Sequence, residues 1–302
     1  MKKTWQNIKN ILNRSKPKSK FPEYFIINGS FEKQPSIIAN EFNKYFTSNG
    51  PELAERIPNP PGNNFKTHLL QVHCSSKFHF ELCTVESTIK IINSLKPKSS
   101  AGPDGISSKL LKRICSIIAP SLTLVINQSL FTGVFPDLFK IAKVIPLFKK
   151  GDARIFGNYR PISVLSSFSK VFEKTVFNQV YDYFQKNKLF FKSQYGFRIG
   201  HSNELADLQF ADKILNDLDN RNNPVSIFLD LSKAFDTLDH DILLTKLAHY
   251  GISGIALKWF ESYLSNRFQY VQLDSITSDM YPLTTGVPQG SILGPLLFII
   301  YI

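Results

Sequence analysis

The sequence predicts a mixed α/β (or α+β) fold in which helices pack on one face of a sheet. Several stretches place apolar residues three and four positions apart, which is typical of amphipathic helices. Between them lie short apolar or alternating runs that are typical of strands. With 302 residues, 43% of them hydrophobic, the chain is long enough to bury a sizeable core. Long helices interleaved with short strands therefore favour this fold class.

The N-terminal quarter is predicted to contain a basic lead-in and a helical extension. Residues 1–35 form the lead-in, because the first twenty residues carry seven Lys or Arg and no acid. A solvated linker or an arm that contacts phosphates would both explain this charge, and the linker is the more ordinary interpretation. Residues 36–83 form the extension. Its helix is indicated by apolar residues at helical spacing, namely Ile38, Phe42, Tyr45 and Phe46.

From Thr84 to the pair of strands in 140–166, the chain is predicted to be mainly helical. A helix begins after Thr84, whose hydroxyl is placed to cap it, and a loop rich in Lys, Ser, Gly and Pro follows at 96–106. Two helices are predicted around Leu110–Ile118 and Leu122–Leu130, the second ending near Gly133. Two strands joined by a basic turn then follow in 140–166.

The second half alternates helices with short strands. An apolar strand is predicted at Val225–Leu229, and an alternating strand at 267–273. A turn at 286–290 opens the last helix, which is apolar to the end of the sequence. The other helices of this half are predicted over 167–189, 203–218, 239–250 and 255–264.

Asp230 is a candidate metal ligand, because the apolar strand delivers its carboxylate at the carboxyl end. Oxygen ligands of this kind suit Mg²⁺, although a strand-ending acid in a turn is the more common explanation of such a residue. Phosphoryl transfer generally uses two ions about 4 Å apart, so more carboxylates would have to converge there. Asp236 lies six positions on, where a cap of the following segment is the alternative role, and Asp239 has the position of a helix N-cap.

Two further stretches carry groups suited to a nucleotide. Lys149, Lys150, Arg154 and Arg160 surround the turn between two predicted strands, where they could bind a triphosphate or simply form a solvated basic hairpin. In the turn at 286–290, Gln289 lies between glycines that allow close approach of a ligand. The alternative for this turn is an ordinary helix start.

The charge of the chain favours a polyanionic partner. Its net charge is +12 and its pI is about 9.5, as expected for a nucleic-acid-binding protein, although a merely basic protein would have the same values. The first twenty residues lack the apolar segment of a signal peptide, and the last apolar run is too short to span a membrane. The three cysteines fit a reducing compartment, so a cytoplasmic or nuclear location is expected.

One stretch contains several histidines and cysteines, which are the side chains that bind zinc. Its spacing lacks the paired close ligands of a zinc finger, and an exposed loop or strand is the more ordinary interpretation. The residues concerned are His68, His73, Cys74, His79 and Cys83.

Taken together, the motifs resemble one family. The segments "VIPLFKKGD", "NYRPISVLSSFSKVFEK", "SQYGFRIGHS", "FLDLSKAFDTLDHDIL" and "GVPQGSILGPLLFIIYI" are similar to the reverse transcriptase of non-LTR retrotransposons, the jockey/CR1-like LINE elements. "SSAGPDGI" resembles the segment that precedes the fingers of these enzymes. The resemblance extends over nearly the whole chain and implies a right-hand polymerase, with fingers and an incomplete palm of ferredoxin-like split βαβ type over 84–302.

The resemblance also implies roles for individual residues. Asp230 and the Leu231 carbonyl would bind the metal, and Asp230 would be catalytic. Phe235 would exclude a ribose 2′-OH. The remaining nucleotide-binding residues would be Arg160, one of Lys149 and Lys150, Gln289 and Gly290, and the template-binding residues Gly196, Phe197 and Arg198. The implied partners are an RNA template, a DNA primer and a dNTP, without a membrane, and the implied cofactor is a pair of Mg²⁺ ions.

One departure from the family is expected to affect activity. The family next carries a hairpin with Tyr-x-Asp-Asp, whose two aspartates complete the metal site, and this sequence ends before it. The resemblance therefore implies a chain truncated before that motif, with the thumb absent and no polymerase activity of its own. A non-catalytic nucleic-acid-binding remnant of a mobile element is the alternative function.

Overall fold

The computed structural model describes residues 21–56, 65–69 and 76–302, and the statements below concern these ranges. It confirms a mixed fold of helices and sheet. The N-terminal hairpin consists of β1 (Phe25–Ile27) and β2 (Ser30–Glu32). The main sheet contains β3 (Ile141–Phe148), β4 (Tyr159–Val164), β5 (Arg267–Leu273), β6 (Ile276–Thr277) and β7 (Tyr281–Leu283).

The main sheet is mostly antiparallel around β3 and β5. Strand order is β4–β3–β5–β6, and β7 also pairs with β5. The β3–β4 pair is antiparallel, with Leu147 opposite Arg160, and β3 and β5 are parallel. The two strands and basic turn predicted in 140–166 are therefore confirmed.

The helices pack mainly on one another, and the first of them also contacts the sheet. They are α1 (Pro35–Glu55), α2 (Val85–Ser94), α3 (Ser108–Arg113), α4 (Cys115–Thr132), α5 (Ser167–Lys186), α6 (Asn203–Asp219), α7 (His240–His249), α8 (Gly254–Leu264) and α9 (Gly294–Tyr301).

Local capping explains where several of these helices begin and end. Thr84 and Ser87 form a capping box at the start of α2, as the Thr84 cap predicts. Asp239 accepts a hydrogen bond of 2.9 Å from the Ile242 amide, which confirms it as the N-cap of α7. Gly133 ends α4 with a φ of 70°, a left-handed conformation that glycine adopts without strain. The junction between α3 and α4 lies at Ile114, earlier than the sequence predicted, and Pro120 lies inside α4.

The larger core lies among α2, α4, α5, α7, α8 and α9. Its centre contains Phe135, Trp259 and Tyr263, whose rings meet at centroid distances of 5.1 to 5.5 Å. By length and composition α4 could cross a membrane, but its buried face packs on α2 and α8, as in the core helix of a globular domain.

A second core joins the N-terminal hairpin and α1 to the sheet. Phe25 contacts Phe42 of α1 and Tyr159 of β4, at ring-centroid distances of 5.1 and 5.9 Å. Residues 25–32 thus form a hairpin attached to the core by the buried Phe25, and not only a basic linker, which differs from the prediction for 1–35. Residues 1–20 lie outside the described residues, and the domain boundaries stay a prediction.

The strand predicted at Val225–Leu229 is wrong. Residues 223–231 have no regular secondary structure and pair with no strand of the described sheets. The side chains of Val225, Ile227, Phe228 and Leu229 are 81 to 88% exposed. An apolar run forms a strand only where a neighbouring strand takes up its backbone hydrogen bonds, and none lies here. The split βαβ unit that would contain this strand therefore stays a prediction.

Candidate nucleotide-binding site

Five separate stretches of the chain meet around one cavity of about 530 Å³. They are helix α1, the end of β3, the start of β4 with the turn residues before it, residues 230–236, and the turn at 286–290. Five of the site residues indicated by the sequence line this cavity together: Lys149, Arg160, Asp230, Phe235 and Gln289. Leu231 lines it as well.

The β3–β4 pair supplies the cations. Lys149 directly follows β3, and its amide donates to the Asn158 carbonyl at 2.8 Å, which closes the base of the turn. Arg160 lies in β4 with an exposed side chain. Lys150 is exposed but is not among the residues that line the cavity, so of the two lysines only Lys149 lies at this cavity.

Arg154, the other cation of this turn, has a structural contact. It forms an ion pair of 2.6 Å with Asp152 and donates to the Tyr24 hydroxyl at 2.9 Å. The hydrogen bonds from Arg154 lower the pKa of Asp152 to about 2. Arg154 therefore connects the turn to the N-terminal hairpin.

Asp236 and Gln289 are joined by their side chains. The Gln289 amide nitrogen donates to Asp236 Oδ1 at 2.8 Å. Burial raises the pKa of Asp236, although Gln289 and the charge of Lys233 act in the opposite direction. Asp236 thus orients the amide of Gln289, a role that the sequence did not predict.

The turn that carries Gln289 is held from both sides. The Val287 amide donates to the Phe235 carbonyl at 2.9 Å, and the Ser163 amide donates to the Gln289 carbonyl at 2.9 Å. Gly290 has a φ of 136°, and a Cβ at this position would lie 2.4 Å from the Ser163 carbonyl oxygen. Gly290 does not line the cavity; it packs on β4, and its predicted contact with the nucleotide stays a prediction.

Phe235 packs in an aromatic group at the cavity. Its ring stacks on Phe298 at a centroid distance of 4.9 Å and meets the edge of Phe197 at 5.6 Å. Phe197 has a φ of 62°, and Gly196 accepts a hydrogen bond from the side chain of Gln194. The loop predicted to contact the template is thus connected to the residue predicted to contact the sugar.

Arg198 of the same loop is engaged within the protein. It donates to the Phe191 carbonyl at 3.1 Å and lies over the Phe190 ring, 5.1 Å from its centroid. A template contact by Arg198 would require these contacts to change. The roles of Gly196, Phe197 and Arg198 on a template stay predictions.

Glu173, in the middle of α5, is a buried acid that the sequence did not single out. Its carboxylate accepts from the Ile292 amide at 2.5 Å and from the Leu293 amide at 3.3 Å. Burial raises its pKa, and the two amides and Arg267 act against that shift. Glu173 therefore links α5 to the residues just before α9. The first of them, Ile292, lies three positions after Gln289. An acid among the apolar residues of a helix face is the signal by which it could have been found.

Helix α1 supplies the last wall of the cavity. Tyr45, Phe46 and Asn49 face it, and Lys233 donates to the Tyr45 hydroxyl at 2.9 Å. The sequence indicated Tyr45 and Phe46 only as packing residues of a helix. No local signal places them at the cavity, because their partners lie far along the chain.

The residues present do not fit a pair of metal ions. Among residues 21–56, 65–69 and 76–302, no group of three or more His, Cys, Asp and Glu side chains could hold a metal, and every Asp and Glu of the chain lies in these ranges. Asp230 is exposed, whereas Asp236 is directed at Gln289. The site therefore offers one accessible carboxylate. His73 and Cys74 of the zinc hypothesis lie outside the described residues.

Comparisons with known proteins identify the family of the chain. A family model for "Reverse transcriptase (RNA-dependent DNA polymerase)" matches residues 148–302. The chain is 32% identical to the probable RNA-directed DNA polymerase from transposon BS of Drosophila melanogaster. The match extends over 224 residues, which are 72% of this chain and 24% of that protein. It is 30% identical over 219 residues to the RNA-directed DNA polymerase from mobile element jockey of the same species, again over 72% of this chain and 24% of the relative.

A third relative is the jockey polymerase of Drosophila funebris, 29% identical over 243 residues, which cover 78% of this chain and 26% of that protein. The chain thus spans about a quarter of the length of the curated relatives it matches.

Proposed function

We propose a nucleotide-binding function for this chain, which belongs to the reverse transcriptase (RNA-dependent DNA polymerase) family. The cavity binds a deoxynucleoside triphosphate, as part of an RNA-directed DNA polymerase of a non-LTR retrotransposon. One observation carries the proposal: Lys149, Arg160, Asp230, Phe235 and Gln289 come from four separate segments and line one cavity.

In this proposal the two cations bind the triphosphate. The guanidinium of Arg160 can pair with phosphate oxygens in a bidentate manner, and Lys149 acts as a point charge. The ring of Phe235 occupies the space beside C2′ of the sugar and excludes a hydroxyl there. Gln289, oriented by Asp236, contacts the sugar or the base.

The reaction proposed for the whole polymerase is primer extension on RNA. The 3′-oxygen of the DNA primer attacks the α-phosphate of the dNTP and pyrophosphate leaves. The family generally uses divalent metal ions; Mg²⁺ is the proposed ion, and Asp230 with the Leu231 carbonyl are the residues of this chain that would contact it. The basic chain would bind the template and primer in a salt-dependent manner, in the cytoplasm or nucleus.

Equilibrium binding of dTTP to the purified 302-residue protein tests the proposed site. We expect Lys149→Met and Arg160→Met each to weaken binding about tenfold, because each removes a charge-assisted hydrogen bond to phosphate. Lys150→Met is the matched control, since it removes the adjacent exposed cation that does not line the cavity. Absence of dTTP binding, or equal losses in all three variants, would contradict the site.

Two further measurements separate the candidate functions. The unmodified protein is expected to prefer dTTP to UTP, and Phe235→Ala is expected to reduce that preference. Primer extension on an RNA template with Mg²⁺ is expected to be absent for this chain alone, because the structure brings only one accessible carboxylate to the cavity. RNA binding without any dTTP binding would instead favour the non-catalytic nucleic-acid-binding alternative.

A further inference from the structure

We propose that Tyr45 of helix α1 and Lys233 extend the triphosphate site, with Lys233 as a third cation on the phosphates and Tyr45 as the residue that positions it. This inference rests on the proposed nucleotide-binding function. It assigns a role to a helix that lies outside residues 148–302, the range of the family match.

The contact between the two side chains is specific. Lys233 Nζ donates to the Tyr45 hydroxyl at 2.9 Å and lies 4.5 Å from the centroid of the Tyr45 ring. An ammonium group has three hydrogens to donate, and Tyr45 accepts one of them. The lysine therefore retains donors for phosphate oxygens while the tyrosine limits its rotamers.

The backbone of Lys233 also directs the side chain. Its φ is 50°, a left-handed conformation that non-glycine residues adopt uncommonly, and its carbonyl accepts from the Asp236 amide at 2.8 Å. This turn follows Asp230 directly. Lys233 and Asp230 are thus presented to the same cavity by one short segment.

Close packing and hydrogen bonds fix helix α1 against the segments that line the cavity. A Cβ at Gly50 would lie 2.1 Å from the Thr285 hydroxyl and 2.4 Å from the Asp236 carbonyl oxygen, so the helix packs closely against both of these residues. About two helical turns back, the buried Asn43 side chain donates to the Gln269 carbonyl at 3.1 Å and to the Asp279 carbonyl at 2.8 Å. Tyr45 is therefore fixed relative to β5 and to the turn that carries Gln289.

Tyr45 reaches the β3–β4 turn as well. A Cβ at Gly157 would lie 3.0 Å from the Tyr45 hydroxyl, so this oxygen sits between the turn and Lys233. The hydroxyl thus lies close both to the segment that carries Lys149 and to the one that carries Asp230. Glycine at 157 leaves the space that this approach needs.

The charges around the cavity favour a polyphosphate. Three cations line it, Lys149, Arg160 and Lys233, against Asp230 and Asp236. Asp236 is turned toward Gln289 and partly buried, so the cations dominate the accessible part of the cavity. Three cations on three segments match the three linked phosphates of a nucleoside triphosphate better than they match a single phosphate group.

Binding of dTTP and of inorganic tripolyphosphate to the full 302-residue protein tests the assignment. We expect Lys233→Met to weaken both ligands about tenfold, and Lys233→Arg to restore most of the affinity. Tyr45→Phe, which keeps the ring and removes the hydroxyl, is expected to weaken both about threefold. Lys150→Met again controls for the loss of one positive charge.

A double variant distinguishes positioning from general destabilisation. If Tyr45 acts through Lys233, the Tyr45→Phe substitution has no further effect in the Lys233→Met background. Losses that multiply in the double variant would overturn the coupling. Circular dichroism and the thermal midpoint of each variant show whether it is folded.

The outcomes separate this inference from the proposed function. If the unmodified protein binds dTTP, and Arg160→Met weakens binding while Lys233→Met does not, only the assignment of Lys233 and Tyr45 is overturned. If the unmodified protein binds neither dTTP nor tripolyphosphate, the nucleotide site itself is overturned and this inference with it.

Discussion

The side-chain amide of Gln289 donates a hydrogen bond of 2.8 Å to the carboxylate of Asp236. The two residues lie 53 positions apart, and the bond joins the segment that carries Asp230 and Phe235 to the turn before α9. The Thr285 hydroxyl also donates to the Asp236 carbonyl, at 3.1 Å. The geometry of the candidate site therefore depends on Asp236 although Asp236 is not required to contact the nucleotide.

We expect Asp236→Ala to destabilise the protein and to weaken dTTP binding. The substitution leaves the Gln289 amide without its acceptor in a partly buried position, which costs about 1 kcal/mol. Asp236→Asn is the control, because its Oδ1 can still accept from Gln289. Urea unfolding and dTTP titration measure the two effects. Equal behaviour of the alanine and asparagine variants would show that the hydrogen bond does not position Gln289.

The pH dependence of stability should contain a contribution from Glu173. Burial raises the pKa of this carboxyl above its ordinary value of 4.5, so the native state keeps a proton that the unfolded state has lost. Its contribution is fully present below the ordinary pKa and is lost as pH rises through the folded pKa. The free energy of unfolding then falls with rising pH, by at most about 1.4 kcal/mol per pH unit for this one group.

Glu173→Gln should remove that part of the slope. The glutamine carbonyl can still accept from the Ile292 amide, so the start of α9 stays attached to α5. Urea unfolding between about pH 5 and about pH 8 measures the slope. Glu55→Gln, an exposed glutamate of α1, makes the same change in net charge and serves as the control. An unchanged pH profile in Glu173→Gln would contradict the role of this carboxyl.

Gly290 should tolerate no side chain. Alanine there would adopt a φ of 136° and place its Cβ 2.4 Å from the Ser163 carbonyl oxygen, so the turn must shift. We expect Gly290→Ala to lower stability and to weaken dTTP binding, because Gln289 moves with the turn. Thermal unfolding and dTTP titration provide the measurements.

Gly29→Ala separates backbone strain from steric clash. Gly29 has a φ of 80°, but a Cβ there would meet no atom within 4 Å. Gly29→Ala should lower the free energy of unfolding through backbone strain alone, by about 1 to 2 kcal/mol, and should leave dTTP binding unchanged. If Gly290→Ala behaves no differently from Gly29→Ala, the close approach to β4 has no functional consequence.

The sequence predicted those elements whose signals are local. The Thr84 and Asp239 caps and the Gly133 stop are confirmed, because a cap depends on residues within one helical turn. The N-terminal hairpin was overlooked, although Asn28 and Gly29, both with positive φ, form the dipeptide that most strongly favours such a turn.

The contacts between distant segments could not be predicted from the sequence. The Lys233–Tyr45 hydrogen bond joins residues 188 positions apart, and the Glu173–Ile292 bond joins residues 119 positions apart. Nothing in a local pattern specifies such pairs, because they depend on how whole elements pack. The strand predicted at Val225–Leu229 failed for the same reason, since strand formation depends on a neighbour that the apolar run itself does not specify.

The exposed apolar segment at 225–229 leads to the last prediction. Ile227 is 81% exposed, so Ile227→Lys should change the free energy of unfolding by no more than about 0.5 kcal/mol. The same change should reduce self-association, because an uncharged apolar segment whose backbone pairs with no described strand favours pairing between chains. Urea unfolding measures the stability, and light scattering over a range of protein concentrations measures the association.

Leu297→Lys provides the contrasting control. Leu297 is fully buried in α9, so a lysine there should prevent stable folding, whereas the same residue at position 227 should be tolerated. A loss of more than about 2 kcal/mol in Ile227→Lys would place Ile227 in a packed strand, because losses of that size arise from buried positions and not from exposed ones. Unchanged association would instead show that the apolar run does not cause pairing between chains.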